Sequence, residues 1–141
     1  MRQALFLFLF LVAGFAFART SEVCPKLPAN SGLEWTYQEG PDFDACYAMR
    51  PGTEETSFGI YIGNHPSFDP SNATAVGESK VGGQLIKWYP NANKADAQLS
   101  RQSILVLSKE GHLFAHIWVV AKTQKELENY ISILEKISFG H

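Results

Sequence analysis

Residues Gln102–Val120, QSILVLSKEGHLFAHIWVV, constrain the fold more than any other stretch of the chain. Two apolar runs flank Lys109-Glu110-Gly111-His112, and Gly111 supplies the positive φ that a short hairpin loop needs. In the first run Ser103, Leu105 and Leu107 share one face and Ile104 and Val106 the other. In the second, Leu113, Ala115, Ile117 and Val119 share one face, and Phe114, His116, Trp118 and Val120 share the other. Both faces are mainly apolar, whereas a strand at a solvated sheet surface alternates apolar with polar. The pattern predicts two strands in mid-sheet with material packed on each side.

Thr123-Gln124-Lys125-Glu126 fits a capping box, in which a hydroxyl and a carboxylate each accept from a free backbone amide. Leu127, Tyr130, Ile131, Leu134 and Ile137 then recur at helical spacing, with Lys125, Glu128, Asn129, Ser132, Glu135 and Lys136 on the polar side. This predicts a C-terminal helix that covers one face of the sheet.

The first residues, MRQALFLFLFLVAGFAFA, read as an export signal. A positive Arg2 precedes the apolar run Leu5–Phe17, and Ala16-Phe17-Ala18 is a small-x-small cleavage site. The run falls short of the ~20 residues of a comfortable membrane span. The mature domain is expected to run from Arg19 to His141, with no membrane span. The destination is a bacterial periplasm or the extracellular medium. An exported chain with two cysteines predicts a Cys24–Cys46 disulfide, which removes both sulfurs from consideration as nucleophiles or metal ligands. With 12 basic and 14 acidic side chains and no basic cluster, the composition argues against nucleic acid as a partner.

In chain order, Arg19–Gly32 is an irregular lead-in. Leu33, Trp35 and Tyr37 alternate in a first strand, and Phe43, Ala45, Tyr47 and Met49 in a second. Cys46 then faces away from Phe43 and Tyr47, so the disulfide lashes the lead-in across that opposite face. Thr56–Gly63 is a third strand, in which Gly59 marks a bulge or a close approach. Asn64–Val81 reads as a long loop, Gln84–Tyr89 as a fourth strand, and Pro90–Arg101 as a polar stretch with one or two helical turns. Ile137-Ser138-Phe139 is expected to dock on the sheet edge. The fold class is α+β: an antiparallel sheet of about six strands, a C-terminal helix and one disulfide. The run Ser103–Val120, the helix Glu126–Ile137 and the tail Ser138-Phe139 resemble the PsbP/MOG1-like fold family. There a meandering antiparallel sheet leads into a long helix and a short serine-phenylalanine tail. The resemblance covers about a third of the chain and implies a non-enzymatic accessory role, with no site residues to carry over.

Candidate binding residues are Asn64, His65, Trp88, Arg101 and His116. Asn64 and His65 open the long loop from a strong strand, a common place for binding residues; the competing reading makes them turn-formers. Trp88, with Tyr89, Pro90, Trp35 and Tyr61, would line an aromatic recognition surface or pack in the core. Arg101 would meet an anionic ligand, pair with Asp96 or Glu54, or stand as an ordinary surface charge. His116 is a site residue or a semi-buried histidine beside Phe114 and Trp118. His112 and His116 form H-x-x-x-H, but on a strand that spacing spans ~13 Å, too far for one ion. There is no G-x-S-x-G elbow. Asp42 and Asp44 share a strand face and read as solvated acids, and Asn72-Ala73-Thr74 is a glycosylation acceptor only in a eukaryotic host. No cofactor is indicated. The expected function is recognition of a protein or small-molecule ligand, an inhibitor or immunity protein being one form. The alternative is a hydrolase with a dispersed acid/base set around His65 or His116.

Overall fold

In the computed structural model, residues 20–92 and 99–140 are described. The export signal, its cleavage site, the expected helical turn near Ala95 and Ala97, and Asp96 lie outside them. A single turn, α1 (Thr20–Val23), leads into β1 (Glu34–Glu39), β2 (Phe43–Met49) and β3 (Thr56–Gly63). A short 3-10 turn at Pro70–Asn72 precedes β4 (Gly77–Val81) and β5 (Gln84–Trp88), and then β6 (Ser100–Val106), β7 (Phe114–Val120) and α2 (Gln124–Leu134). Five strands pair antiparallel in the order β1-β2-β3-β7-β6, and β4 and β5 form a separate two-stranded hairpin. The α+β architecture is therefore as expected, with seven strands among the described residues instead of about six.

The additional strand, β4, lies in the stretch read as loop. Gly82 and Gly83 have φ of 55° and 79°, the left-handed pair that a two-residue hairpin turn demands. The glycines therefore turn the chain from β4 directly into β5. Tyr89 and Gln102 exchange backbone hydrogen bonds of 3.0 and 2.8 Å, which fasten the end of β5 to β6. The hairpin lies on the helix side. Val81, Ile86 and Trp88 join its core, and a side chain at Gly82 would run into Phe139 and Leu105.

That core has three sources. From the sheet come Phe58 and Ile60 of β3, Ala115, Ile117 and Val119 of β7, and Leu105 of β6. From α2 come Leu127, Tyr130, Ile133 and Leu134, and the β4–β5 hairpin supplies the third layer. Burying each such aliphatic or phenyl side chain contributes ~1.5–3 kcal/mol. Thr123 caps α2 by accepting from the Glu126 amide at 3.1 Å. The return bond is displaced by one residue, since the Glu126 carboxylate accepts from the Lys122 amide at 2.9 Å.

Cys24 and Cys46 are bonded, and Cys46 is fully buried on the helix side, opposite Phe43 and Tyr47. Such a bond persists in oxidising surroundings. The tail docks on the lead-in and not on the sheet edge: Ser138 and Lys26 form an antiparallel bridge. Of the two strands expected in mid-sheet, only β7 is interior. β6 is the border of the five-stranded sheet. No helix among the described residues is long and apolar enough to cross a membrane.

Candidate functional site

The sheet face turned away from α2 is built from three cross-strand rows. Ala45, Tyr61, His116 and Ile104 lie side by side, as do Tyr47, Gly59, Trp118 and Gln102, and then Phe43, Gly63, Phe114 and Val106. β3 thus presents glycine, tyrosine, glycine. Gly59 is the close approach anticipated for it: a Cβ there would fall inside the Trp118 indole ring. With that space vacant, the indole leans across β3 to meet Tyr47 edge-on, ring centroids 5.9 Å apart at 70°. At the other glycine, a Cβ on Gly63 would strike the Tyr61 ring, which stacks on Phe43 at 5.4 Å and 30°. The two glycines let large rings lie over the sheet instead of standing up from it.

The result is an open hollow of about 330 Å3 lined by Phe43, Ala45, Tyr47, Tyr61, Ser67, Asn91, His116 and Trp118. Its wall is pinned by one chain of hydrogen bonds. Gln102 Nε2 donates to the Pro90 carbonyl at 3.4 Å, so its Oε1 is left to accept. His116 Nε2 lies 3.2 Å from that oxygen and therefore carries the ring proton. His116 Nδ1 is then free to accept from Ser67 Oγ, 3.5 Å away. Phe68 lies over the imidazole at 5.8 Å and 27°. Burial pushes the His116 pKa below the ordinary histidine value, because a charged ring loses its hydration there. The ring is neutral at pH 7, so the described lining of the hollow carries no formal charge. Among the described residues neither the Tyr47 hydroxyl nor the Trp118 indole N–H has a hydrogen-bond partner, so both remain available to a ligand.

The expected site residues divide. His116 is central to the hollow. Asn64 and His65 are exposed, and His65 contributes through its backbone: its amide donates to the Tyr61 hydroxyl at 3.1 Å and orients that ring. Left-handed geometry does not explain Asn64, because positive φ is confined to glycines among the described residues. Trp88 is sealed in the helix-side core, 2% exposed, with Nε1 donating to Ser79 Oγ at 2.9 Å. Trp35 is also on the helix side, edge-on to Phe58 at 5.7 Å. Arg101 alternates with Gln102, faces the helix side of β6, and donates to the Ser100 carbonyl at 2.8 Å. Asp44 accepts from the Tyr37 hydroxyl, and Asp42 lies in the β1–β2 turn, outside β2. His112 is exposed in the β6–β7 turn.

Sequence reasoning did not select Phe43, Tyr47, Ser67, Gln102 or Trp118. The signal was a glycine flanked by small or apolar residues in β3, opposite a row of rings in β2 and β7. Alternation alone does not say which strands pair, so the rows could not be assembled.

A second hollow, about 290 Å3, lies where the β2–β3 turn meets α2. Its charges cancel in place. Arg50 pairs with Glu126 at 3.6 Å, and Lys122 with Glu55 at 2.8 Å. The Lys122 ammonium holds the Glu55 carboxyl below its usual value, and Glu55 raises Lys122 in return. This is an exposed ion network joining turn to helix, with little left to offer a ligand. The chain matches no protein-family model, no characterised protein and no solved structure.

Proposed function

We propose that this chain is a small exported, non-enzymatic binding protein of a bacterial envelope or the extracellular medium, and that it takes a small ligand in the aromatic hollow. The observation that carries this is the contrast in satisfaction. The helix-side tryptophan Trp88 is buried and hydrogen-bonded, whereas Trp118 and Tyr47 line an open hollow with their polar atoms unspent. Binding pockets commonly combine apolar and aromatic walls with a few placed polar groups in ~300–1,000 Å3, and this hollow falls at the small end of that range. The disulfide supports the exported setting, and the antiparallel sheet that leads into α2 and the Ser138-Phe139 tail supports a PsbP/MOG1-like accessory scaffold. The test is a protein-observed NMR screen of small molecules. Hits that shift Tyr47, Tyr61, His116 and Trp118 and vanish in Trp118→Ala support the reading. Hits that map elsewhere overturn it. The intact mass of exported protein should start at Arg19.

One observation favours a second reading, a hydrolase. The Ser67–His116–Gln102 chain places a hydroxyl, a neutral base and an orienting amide in sequence. In that case p-nitrophenyl butyrate would be cleaved by the wild type and not by Ser67→Ala. The absence of turnover leaves the binding reading alone.

A further inference from the structure

We infer that the hollow's ligand is an uncharged carbohydrate, a pyranose unit stacked on the Trp118–Tyr47 corner; this rests on the binding reading above. The argument is from the lining. A pocket for an acyl chain or other purely apolar ligand gains most from a wall of aliphatic side chains, since any polar atom it covers must be desolvated without a partner. Among the described lining residues Ala45 is the one aliphatic side chain. Six described lining residues carry a hydrogen-bonding atom, namely Tyr47, Tyr61, Ser67, Asn91, His116 and Trp118, and the Tyr47 hydroxyl and Trp118 indole N–H are the ones with no partner among the described residues. A charged ligand requires an opposite charge or a concentrated set of donors, and among the described residues the lining holds no Lys, Arg, Asp or Glu. The remaining class must present a flat apolar face to the rings and several hydroxyls to neutral donors and acceptors. A pyranose does both: its axial C–H groups form an apolar face, and its hydroxyls donate and accept around the rim. Aromatic side chains with a polar atom suit such a two-sided partner.

The architecture also suits an open-ended chain rather than an enclosed monosaccharide. The hollow lies on a sheet face, with Tyr61 stacked on Phe43 at one side and Tyr47 against Trp118 at the other. Successive sugar units can pass over the rings without entering a closed cavity.

The experiment is a titration of the mature protein with a panel of neutral tetrasaccharides (cello-, malto- and N-acetylchito-oligomers). Tetragalacturonate serves as the charged arm and 2-naphthol as the apolar-ring arm. Tryptophan fluorescence is the readout, with calorimetry beside it. Trp88 and Trp35 are held on the helix side, so a ligand-induced change reports Trp118. The expected result is saturable binding of at least one neutral tetrasaccharide. Calorimetry should show it at least ten-fold weaker in Trp118→Ala, several-fold weaker in Tyr47→Phe, and largely kept in Trp118→Phe, which preserves a ring. Tyr47→Phe removes only a hydroxyl, so it separates lost binding from lost folding. Binding of 2-naphthol alone, or tighter binding of tetragalacturonate than of any neutral sugar, overturns the carbohydrate assignment and leaves a binding site in place. No response to any arm overturns both.

Discussion

On the helix side of the sheet, Phe58, Ile60, Ile117 and Leu105 are at most 1% exposed and meet α2 or the β4–β5 hairpin. One residue along β3 and β7, Tyr61 and Trp118 are half-buried, as is Tyr47 of β2, and their ring partners are Phe43, His116 and one another. Both faces carry large rings and both looked packed from their composition. They differ in cover: a helix and a hairpin on one side and, among the described residues, the Ser67-Phe68 segment with the Tyr89–Asn91 stretch on the other. The comparison teaches that apolar character on two faces of a strand does not guarantee two cores. A face can be lined with aromatics because it packs, or because it awaits something.

The sharpest break of the comparison is a ring deletion on each side. Phe58→Ala removes a fully buried phenyl ring and should cost ~3–5 kcal/mol in urea unfolding. Trp118→Ala removes a larger side chain from the half-covered face and should cost clearly less, ~1–2 kcal/mol for its partial burial. Equal losses would mean that both faces are cores.

The disulfide belongs to the helix side and closes a loop with a sequence separation of 22. Replacing both cysteines by serine should lower stability by roughly 3 kcal/mol while leaving the far-ultraviolet circular dichroism unchanged. Quantitative thiol labelling of the native wild type would contradict the bond.

Gly59→Ala probes the aromatic face from beneath. The new methyl displaces the Trp118 indole from its place over β3. A cost of about 1–3 kcal/mol is expected, with a changed near-ultraviolet spectrum, because the ring must leave its seat. An unchanged spectrum would show that the indole is not held there.

His116 gives a smaller, pH-dependent effect. Protonation need not break a hydrogen bond, since the Ser67 hydroxyl turns to accept; the penalty is burial of charge. The folded-state pKa lies below the ordinary histidine value, because burial disfavours the charged ring, so the unfolded chain takes up the proton first as pH falls. Stability should be intact above that value and decline as pH drops through the lowered folded pKa. Melting curves of wild type and His116→Phe should converge in their pH dependence only if another group is responsible.

Smallest of all, Asn64→Ala with His65→Ala should leave stability within ~0.5 kcal/mol, because both side chains are exposed and the useful contact is the His65 backbone amide. A large loss of melting temperature would place the loop in a core.

Several parts of this molecule were legible in its residues. The apolar stripe Leu127, Tyr130, Leu134 and the Thr123 cap specify α2, since 3.6-residue spacing and a hydroxyl before it act locally. Alternation in Phe43–Met49 and Phe58–Ile62 specifies strands, and two cysteines in a chain whose first residues read as an export signal predict the bond that is formed. The Gly82-Gly83 turn is also a local signal, but the polar pattern Gly-Glu-Ser-Lys-Val before it reads more like loop than strand. The site was not legible in the same way. Trp88 and Trp118 each sit in a strand beside apolar neighbours, yet one is sealed in the core and the other faces the hollow.

Local chemistry, which depends on the nearest few residues, thus determined the helix, most of the strands, the disulfide and the fold class. Tertiary structure alone decided that β7 lies between β3 and β6, that Gly59 stands beside Trp118, and that α2 and the hairpin both cover one face and leave the other open. The physical reason is range. Spacing and capping act within a turn or a strand, whereas strand order and the side to which a helix folds are set by contacts between residues far apart in the chain, here as far as Phe58 and Tyr130.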